Sequence, residues 1–438
     1  MIDETADLTS TPRVSMRGRK RPARPAWSAV SASAAGPTSA AVSASAVRAL
    51  LREPGQELAP ADLAAAAGIR SVEIIAWRDL GHPEAGGSEL HSARIAERWA
   101  AAGIDVRIVA SRAQGAQRRA NRDGYQVARP AGRYSIFPAA MMRRLVAAGT
   151  GSARPDATVE IWNGMPFLSP LWAPQPRVVL LHHVHDRMWD TVLPAPLAAA
   201  GRLLETKIAP PLYRRTRLVT LSQSSKLDIV RRLRLDESRV DVVPPGVDRE
   251  FVPGERSEHP LVVAVGRLVP YKRFDKLIDV LVELKHRHPR LTAVIAGEGF
   301  ERTRLERLVA SRDAGSWLDL PGRVDFPTLL RLYQSAWVLA SSSAFEGWGL
   351  TISEAAACAT PSVASPIAGH FDAVEEAKTG FLAEPGPAML ERLDLVLRDA
   401  ALRGQMQAAA LAKAHTLSWD GAAGAILRIL AEEATLYR

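Results

Sequence analysis

Glu346 and Glu354 stand with seven residues between them around a glycine-punctuated turn, Phe345-Glu346-Gly347-Trp348-Gly349-Leu350-Thr351. A carboxylate accepts two hydrogen bonds from vicinal hydroxyls, the arrangement that a sugar or a ribose presents. By itself the pair is equally well read as one solvated glutamate and one favoured by a helix dipole. A second set of chemistry-bearing residues lies upstream, in Val265-Gly266-Arg267-Leu268-Val269-Pro270-Tyr271-Lys272-Arg273. Arg267 is a fixed cation and Lys272 a flexible one. Either alone reads as surface charge. Together with a helix N-terminus they could hold a diphosphate without a metal, and hold it more tightly as it becomes a leaving group. A third set is His182, His183, His185 and Asp186, which directly follow the apolar run Val178-Val179-Leu180-Leu181. Histidines at i, i+1 and i+3 without a fixed third-ligand motif make a poor zinc site. The pattern predicts one histidine lining a cleft as a ligand contact or proton-handling group, with the others packing locally.

The elements that must carry these residues follow from hydrophobic periodicity. Trp337–Ala340 reads as a buried parallel strand, and Leu350–Ala359 as a helix stopped by Pro361, so Glu346 sits in a strand-to-helix turn. Such turns put backbone N–H groups at the carboxyl edge of a sheet, where α/β folds bind phosphates. Val72–Trp77, the loop Gly81–Glu89 with Gly86-Gly87, a helix from Leu90 to Ala102 and Asp105–Ala110 form a βαβ unit. Ala157–Gly164, Arg177–Leu181, Leu218–Ser222 and Val240–Val243 add strands, and the Pro244-Pro245-Gly246 turn is a hinge candidate. A second alternating series follows, with strands predicted at 261–265, 291–296, 317–320 and 362–364, helices at 274–286, 301–310 and 328–335, and an amphipathic helix over 419–436. Two such series predict an α/β protein with two doubly wound, Rossmann-like domains facing across a cleft. The expected division is a low-complexity, disordered tail over 1–68, Rossmann-like domains over 69–247 and 248–415, and a C-terminal helix over 416–438.

Composition narrows the function. At 438 residues two core-forming domains are the natural expectation, and no run approaches the ~20 apolar residues of a membrane span. The tail lacks the apolar stretch of a signal peptide, although its residues 45–67 could form a short Ala-rich helix. The single Cys358 reads as a buried thiol. No HExxH, CxxC or Asp-x-Asp spacing occurs, so no metal is expected. The net charge of +9 is concentrated in residues 69–247, with 26 Lys and Arg against 16 Asp and Glu. Nucleic acid, an anionic membrane or an acidic substrate would each suit that excess, as would plain surface arginine.

Taken in order, Gly86-Gly87-Ser88-Glu89, Val243-Pro244-Pro245-Gly246-Val247-Asp248, Gly266-Arg267…Lys272, Ala296-Gly297-Glu298-Gly299 and Glu346…Glu354 resemble the retaining GT-B glycosyltransferases of family 4, over residues 70–430. The resemblance implies a cytoplasmic enzyme that transfers a hexosyl unit from a nucleotide-diphosphate sugar, of the GDP-mannose or UDP-glucose type. The acceptor would be a hydroxyl of a saccharide or lipid-linked molecule, in glycan or cell-envelope polysaccharide synthesis, with retention of configuration and no obligatory metal. It implies that Gly86, Gly87, Gly266, Arg267, Lys272, Glu346, Gly347, Trp348, Gly349, Leu350, Thr351 and Glu354 contact the donor. Arg267 and Lys272 would hold its diphosphate, Glu346 its sugar and Glu354 its ribose. A strand-end histidine would sit at the reacting carbon; position favours His182 or His183, and His183 is preferred. Glu89, Asn163, His182 and His185 would lie on the acceptor side. The resemblance also implies an acceptor-side role for the domain over 69–247, a nucleotide-sugar-binding role for that over 248–415, and a helix over 416–438 that crosses back to the first. The basic first domain would meet an anionic acceptor or the face of an anionic membrane. Competing readings are a non-catalytic nucleotide-sugar binder, a GT-B epimerase or phosphorylase, and a nucleic-acid-binding protein. No aromatic-basic platform or helix-turn-helix signature supports the last.

Overall fold

The computed structural model describes residues 58–149 and 154–437. Fourteen strands among them fall into two sheets. The first contains β1 (Ser71–Ile75), β2 (Asp105–Ser111), β3 (Arg119–Arg122), β4 (Tyr125–Ala131), β5 (Ala157–Trp162), β6 (Arg177–Leu181), β7 (Arg217–Thr220) and β8 (Val240–Val242). Its order is β3-β4-β2-β1-β5-β6-β7-β8, and every pairing except β3 with β4 is parallel. The second contains β9 (Leu261–Val265), β10 (Thr292–Ala296), β11 (Leu318–Gly322), β12 (Val338–Ser341), β13 (Ser362–Ala364) and β14 (Gly380–Leu382), ordered β11-β10-β9-β12-β13-β14 and wholly parallel. Strands such as β6, buried at every position, are apolar throughout because helices cover both faces of a parallel sheet. In each sheet the chain starts at a central strand, β1 or β9, and winds outward in both directions. The order therefore reverses beside β1 and beside β9, and the crevice at the carboxyl ends of those strands is where such sheets bind ligands.

Two features depart from the sequence expectation. The tail predicted over 1–68 ends earlier: Pro60–Ala66 is a helix whose Leu63 and Ala64 are buried in the first domain's core. The Ala-rich composition that suggested an unstructured tail also suits a helix that buries one face against a partner. Residues 1–57 lie outside the described residues. The second is the antiparallel hairpin β3–β4 at the edge of the first sheet. Its turn, Asp123-Gly124, has both residues at positive φ, 45° and 88°. Asp-Gly is a preferred pair for a two-residue hairpin turn, so that signal was present in the sequence.

The chain crosses between the domains twice. The outgoing crossing follows β8 through Pro244-Pro245-Gly246, and the return leads into the helix Trp419–Leu436. The two run side by side, with Val247 bridged to Ser418 in parallel. A Cβ on Gly246 would lie 2.1 Å from the Trp419 amide nitrogen, so only glycine allows this approach. Ser418 caps the final helix, and its Trp419, Ile426, Leu427 and Leu430 enter the core of the first domain. There Trp99 Nε1 donates 2.9 Å to the carbonyl of Ala423. At about 1.5–3 kcal/mol per large side chain, this face contributes several kcal/mol toward holding the return crossing in place. Among the described residues, no helix is long and apolar enough to cross a membrane.

Candidate active site

The second domain contributes two strand-to-helix loops. After β9 the backbone turns at Gly266, where a Cβ would lie 3.4 Å from Lys272 Cε. Gly297, after β10, would carry a Cβ 1.8 Å from the Gly266 carbonyl oxygen, so the two loops touch only because residue 297 is glycine. Lys272 closes the short turn Pro270–Lys272, its backbone fixed by the Ser342 hydroxyl at 2.7 Å. Its ammonium pairs with Glu346 Oε1, which also accepts from Ser343 Oγ at 3.0 Å. Burial would raise the Glu346 carboxyl, but Lys272, His370 and Ser343 outweigh it and hold the group at about 2. Arg267 donates to the Tyr271 hydroxyl.

The second loop runs from β12 to the helix Leu350–Ala357. Gly349 makes the entry at φ +99°. Trp348 is buried, its Nε1 donating 2.8 Å to Ser353 Oγ, which folds the loop onto its own helix. The first turn of any helix carries N–H groups without intrahelical partners, and here Leu350 at the helix start lies against the Gly87 position of the first domain. Glu354 accepts from Tyr333 Oη at 2.8 Å. Burial pushes its carboxyl up to about 7, with Tyr333 opposing and Asp248 adding to the rise.

The first domain faces these loops with the turn before the helix Gly87–Ala101. A Cβ at Gly86 would lie 3.5 Å from Arg267 Nε, and one at Gly87 3.1 Å from Leu350 Cδ1. The glycine pair thus sits directly opposite the cation and the helix start of the other domain. Its shape is set by residues behind it. Glu89 accepts from the Gly86 amide at 2.8 Å and from Arg78 Nε at 3.0 Å, and Arg78 also reaches Glu84 at 3.0 Å. Asn163 Nδ2 donates to Ser88 Oγ at 3.0 Å.

The histidines divide. His182 turns inward, 2.9 Å from His91 Nδ1 through its Nε2 and only 6% exposed. His185 is equally buried, stacked on His183 at 4.6 Å and packed against Trp189. Its backbone N–H and that of Asp186 donate to Glu205, at 2.8 and 2.9 Å, as does Trp189 Nε1 at 2.9 Å. Burial pushes Glu205 up to about 7 against those three bonds. Glu205 is presented by a single π-helical turn, Leu204–Ile208, a local irregularity frequent at functional sites. His183 alone of the three is half-buried. Its Nε2 has no hydrogen-bond partner, and burial, with Arg267 and Lys272 assisting and Glu346 opposing, lowers it to about 4. It is a neutral imidazole at pH 7.

The structure brings Gly86, Gly87, Gly266, Arg267, Lys272, Glu346 and Leu350 together between the domains with His183 close by, while Trp348 is buried on Ser353 and Glu354 is bonded to Tyr333. Of the residues expected on the acceptor side, Asn163 is half-buried and bonded to Ser88. Glu89, His182 and His185 are committed to buried partners because the glycine turn and the histidine loop both need internal support. Sequence reasoning missed Arg78, His91, Glu205, Tyr271, Tyr333 and His370. Tyr271 lies inside the Arg267–Lys272 stretch, and Arg78 and His91 flank the Gly81–Glu89 loop, so these were open to sequence reading, whereas Glu205, Tyr333 and His370 come from distant elements. Among the described residues, no group of three or more His, Cys, Asp or Glu side chains is placed to hold a metal ion.

Comparison with known proteins bears on this crevice. Residues 248–413 match the family model for glycosyl transferases group 1, and residues 85–251 match that for glycosyltransferase family 4. Among curated relatives, the D-inositol 3-phosphate glycosyltransferase of Salinispora arenicola is 34% identical over 50% of this chain and 56% of its own length. That of Frankia alni is 31% identical over 49% of this chain and 58% of its own length. The chain thus spans little more than half the length of these relatives. Among solved structures, sucrose-phosphate synthase from Thermosynechococcus elongatus superposes with a TM-score of 0.70 at 19% identity, covering 82% of this chain and 97% of the other. Anabaena HepE in complex with UDP and glucose gives 0.64 at 19% identity, covering 82% and 99%.

Proposed function

From a chain that belongs to the group 1, family 4 glycosyltransferases and has their GT-B fold, we propose a hexosyl transfer from a nucleotide-diphosphate sugar to an acceptor hydroxyl, with retention of configuration. The observation that carries the reading is the opposition of Arg267 and the Lys272–Glu346 pair to the Gly86-Gly87 turn of the other domain. HepE, of the same fold, is described in complex with UDP and with UDP-glucose, which supports a nucleotide-sugar donor. The donor would lie with its diphosphate between Arg267 and the glycine turn, beside the first amides of the helix Leu350–Ala357. Lys272 would pass from Glu346 to the phosphate, leaving the Glu346 carboxylate to accept from sugar hydroxyls. Glu354 would take the ribose hydroxyls.

As the glycosidic bond lengthens, negative charge grows on the leaving phosphate, and fixed cations stabilise that state more than the ground state. His183, neutral and without an internal partner, would donate or accept a hydrogen bond at the reacting face rather than supply charge. In this reading the chain's own cations serve the diphosphate, so no metal is obligatory. Activity that survives EDTA and is not raised by added manganese is the expected result, and full dependence on manganese would overturn it. The acceptor is a polyol, saccharide or lipid-linked hydroxyl, reached in the cytoplasm or at the membrane face. The curated relatives are named for a phosphorylated cyclitol acceptor, which supports the polyol class.

The test of the whole reading is a panel of purified protein with UDP-glucose, GDP-mannose and the other common nucleotide sugars, each with and without myo-inositol phosphate. Nucleotide release that rises with acceptor is the expected outcome; no release from any donor would sink the reading.

A further inference from the structure

We infer that Asp372, with Ser222, Ser224 and Ser225, forms a latch between the domains that couples closure of the crevice to the seating of the loop carrying Glu346. The helix Gln223–Leu233 belongs to the first domain, where Ile229 and Leu233 pack with β6 and β7. Like any helix it begins with backbone N–H groups lacking partners in the helix. Its own residue Ser222 caps one, the Ser225 amide at 3.0 Å. The Gln223 and Ser224 amides instead donate to Asp372 of the second domain, at 2.8 and 3.1 Å, and the Ser224 hydroxyl donates to the same carboxylate. A carboxylate at a helix N-terminus gains from both the dipole and charge-assisted hydrogen bonds. Ser224 Oγ in turn accepts from the Gly369 amide at 2.8 Å, and Lys413 steadies Asp372 through its carbonyl at 2.6 Å.

The same helix start touches the donor loop. The Ser222 and Ser225 hydroxyls, both buried, each lie 3.2 Å from the carbonyl oxygen of Gly347, the residue after Glu346. Leu221, just before them, is buried in the apolar cluster of the second domain that contains Trp348 and Ile352. The clasp also reaches the loop from its own side. Asp372 lies on the short helix His370–Ala373, whose His370 ring would be 3.0 Å from a Cβ on Gly349. One short helix thus bears on the Gly349 entry with His370 and grips the opposite domain with Asp372. Opening the crevice must break the Asp372 bonds and release the Gly347 carbonyl together. By linkage, whatever binds the ordered loop favours closure by the same factor that closure favours binding. Asp372 and the three serines are therefore positioning residues. The donor role of the Glu346 loop is taken from the proposed function.

The experiment uses the full chain with nitroxides on Arg119→Cys in the first domain and Glu283→Cys in the second, both exposed positions, with the buried Cys358 retained. Interdomain distances are measured by pulsed electron resonance with and without UDP, and UDP affinity by calorimetry. Asp372→Ala is expected to add a longer-distance population and to weaken UDP binding at least fivefold, with KM for UDP-glucose rising more than kcat falls. Ser224→Ala moves both readouts in the same direction by less, and Asp372→Asn restores part of the loss. Should Asp372→Ala fail to fold by circular dichroism, Asp372→Asn and Ser224→Ala carry the test. Unchanged distance distributions in the folded variants overturn the latch. If the parent protein binds none of the common nucleoside diphosphates or their sugars, the donor reading falls and the distances alone decide the latch; if it binds another one, that nucleotide replaces UDP in both measurements.

Discussion

Lys272 and Glu346 neutralise one another, so a diphosphate entering the crevice must compete with a carboxylate for the ammonium. That competition makes Lys272 useful only if the phosphate gains charge during the reaction, which is the condition for raising kcat rather than ground-state affinity. Lys272→Ala is accordingly expected to lower turnover more than tenfold, about 1.4 kcal/mol of barrier, with an unchanged far-ultraviolet spectrum. A rate near that of the parent would remove Lys272 from the chemistry. Glu205 and Glu354 make a different prediction. Each carboxyl sits at about 7 in the folded chain, above its ordinary value near 4.5. The native state then binds more protons than the unfolded one between those values, so stability is fully present below the lower and is lost as pH rises through the upper. Thermal melts should show Tm falling between about pH 5 and pH 8. Glu205→Gln should flatten that fall while also loosening the His183 loop, read as a lower kcat with little change in donor KM.

At the scale of elements, the site depends on segments that carry no chemistry. Pro60–Ala66 is one. Leu63 is only 2% exposed within the core that the C-terminal helix also joins, so Leu63→Ala should cost about 2–5 kcal/mol in chemical denaturation. A change within a few tenths of a kcal/mol would return this segment to the unstructured tail expected from composition. The sequence showed most strands because buried parallel strands are unbroken apolar runs. It hid the β3–β4 edge, where half the positions face water and only Asp123-Gly124 marks the turn. It also hid the π-turn at Leu204–Ile208, because a single extra residue in a helix leaves no periodic signature.

At the scale of the whole molecule, the two domains are joined by paired crossings that pass where Gly246 meets Trp419. Gly246→Ala would place a side chain 2.1 Å from a backbone nitrogen, so the crossings must separate. The expected result is a retained secondary structure with a broader range of interdomain distances and a raised donor KM. An unaltered KM would show that the crossings do not set the geometry of the crevice. Charge belongs to this scale as well. The excess of 26 basic over 16 acidic residues in 69–247 favours an anionic partner. Many of those cations are already paired, however: Arg78 with Glu84 and Glu89, Arg129 with Asp79, and Arg143 with Glu73. Flotation with phosphatidylglycerol vesicles, compared with neutral ones, measures what remains for a membrane; equal recovery would remove the membrane from the partners proposed for that excess.

The sequence by itself determined the two winding series, the loops at their strand ends and the residue types in those loops. Each of these is local: an apolar run makes a strand, a glycine pair makes a turn, and a cation after a strand lands at the sheet edge. Which histidine faces the crevice was not local. His182, His183 and His185 share one strand end and each keeps one ring nitrogen without a partner; packing of His182 on His91 and of His185 on Trp189 leaves His183 alone half-buried. The same holds for Glu89, which looks like a ligand contact in sequence and becomes the brace of the glycine turn once Arg78 is beside it. A buried polar group must find partners wherever the fold supplies them, and the tertiary structure alone decides which side chains remain for a substrate.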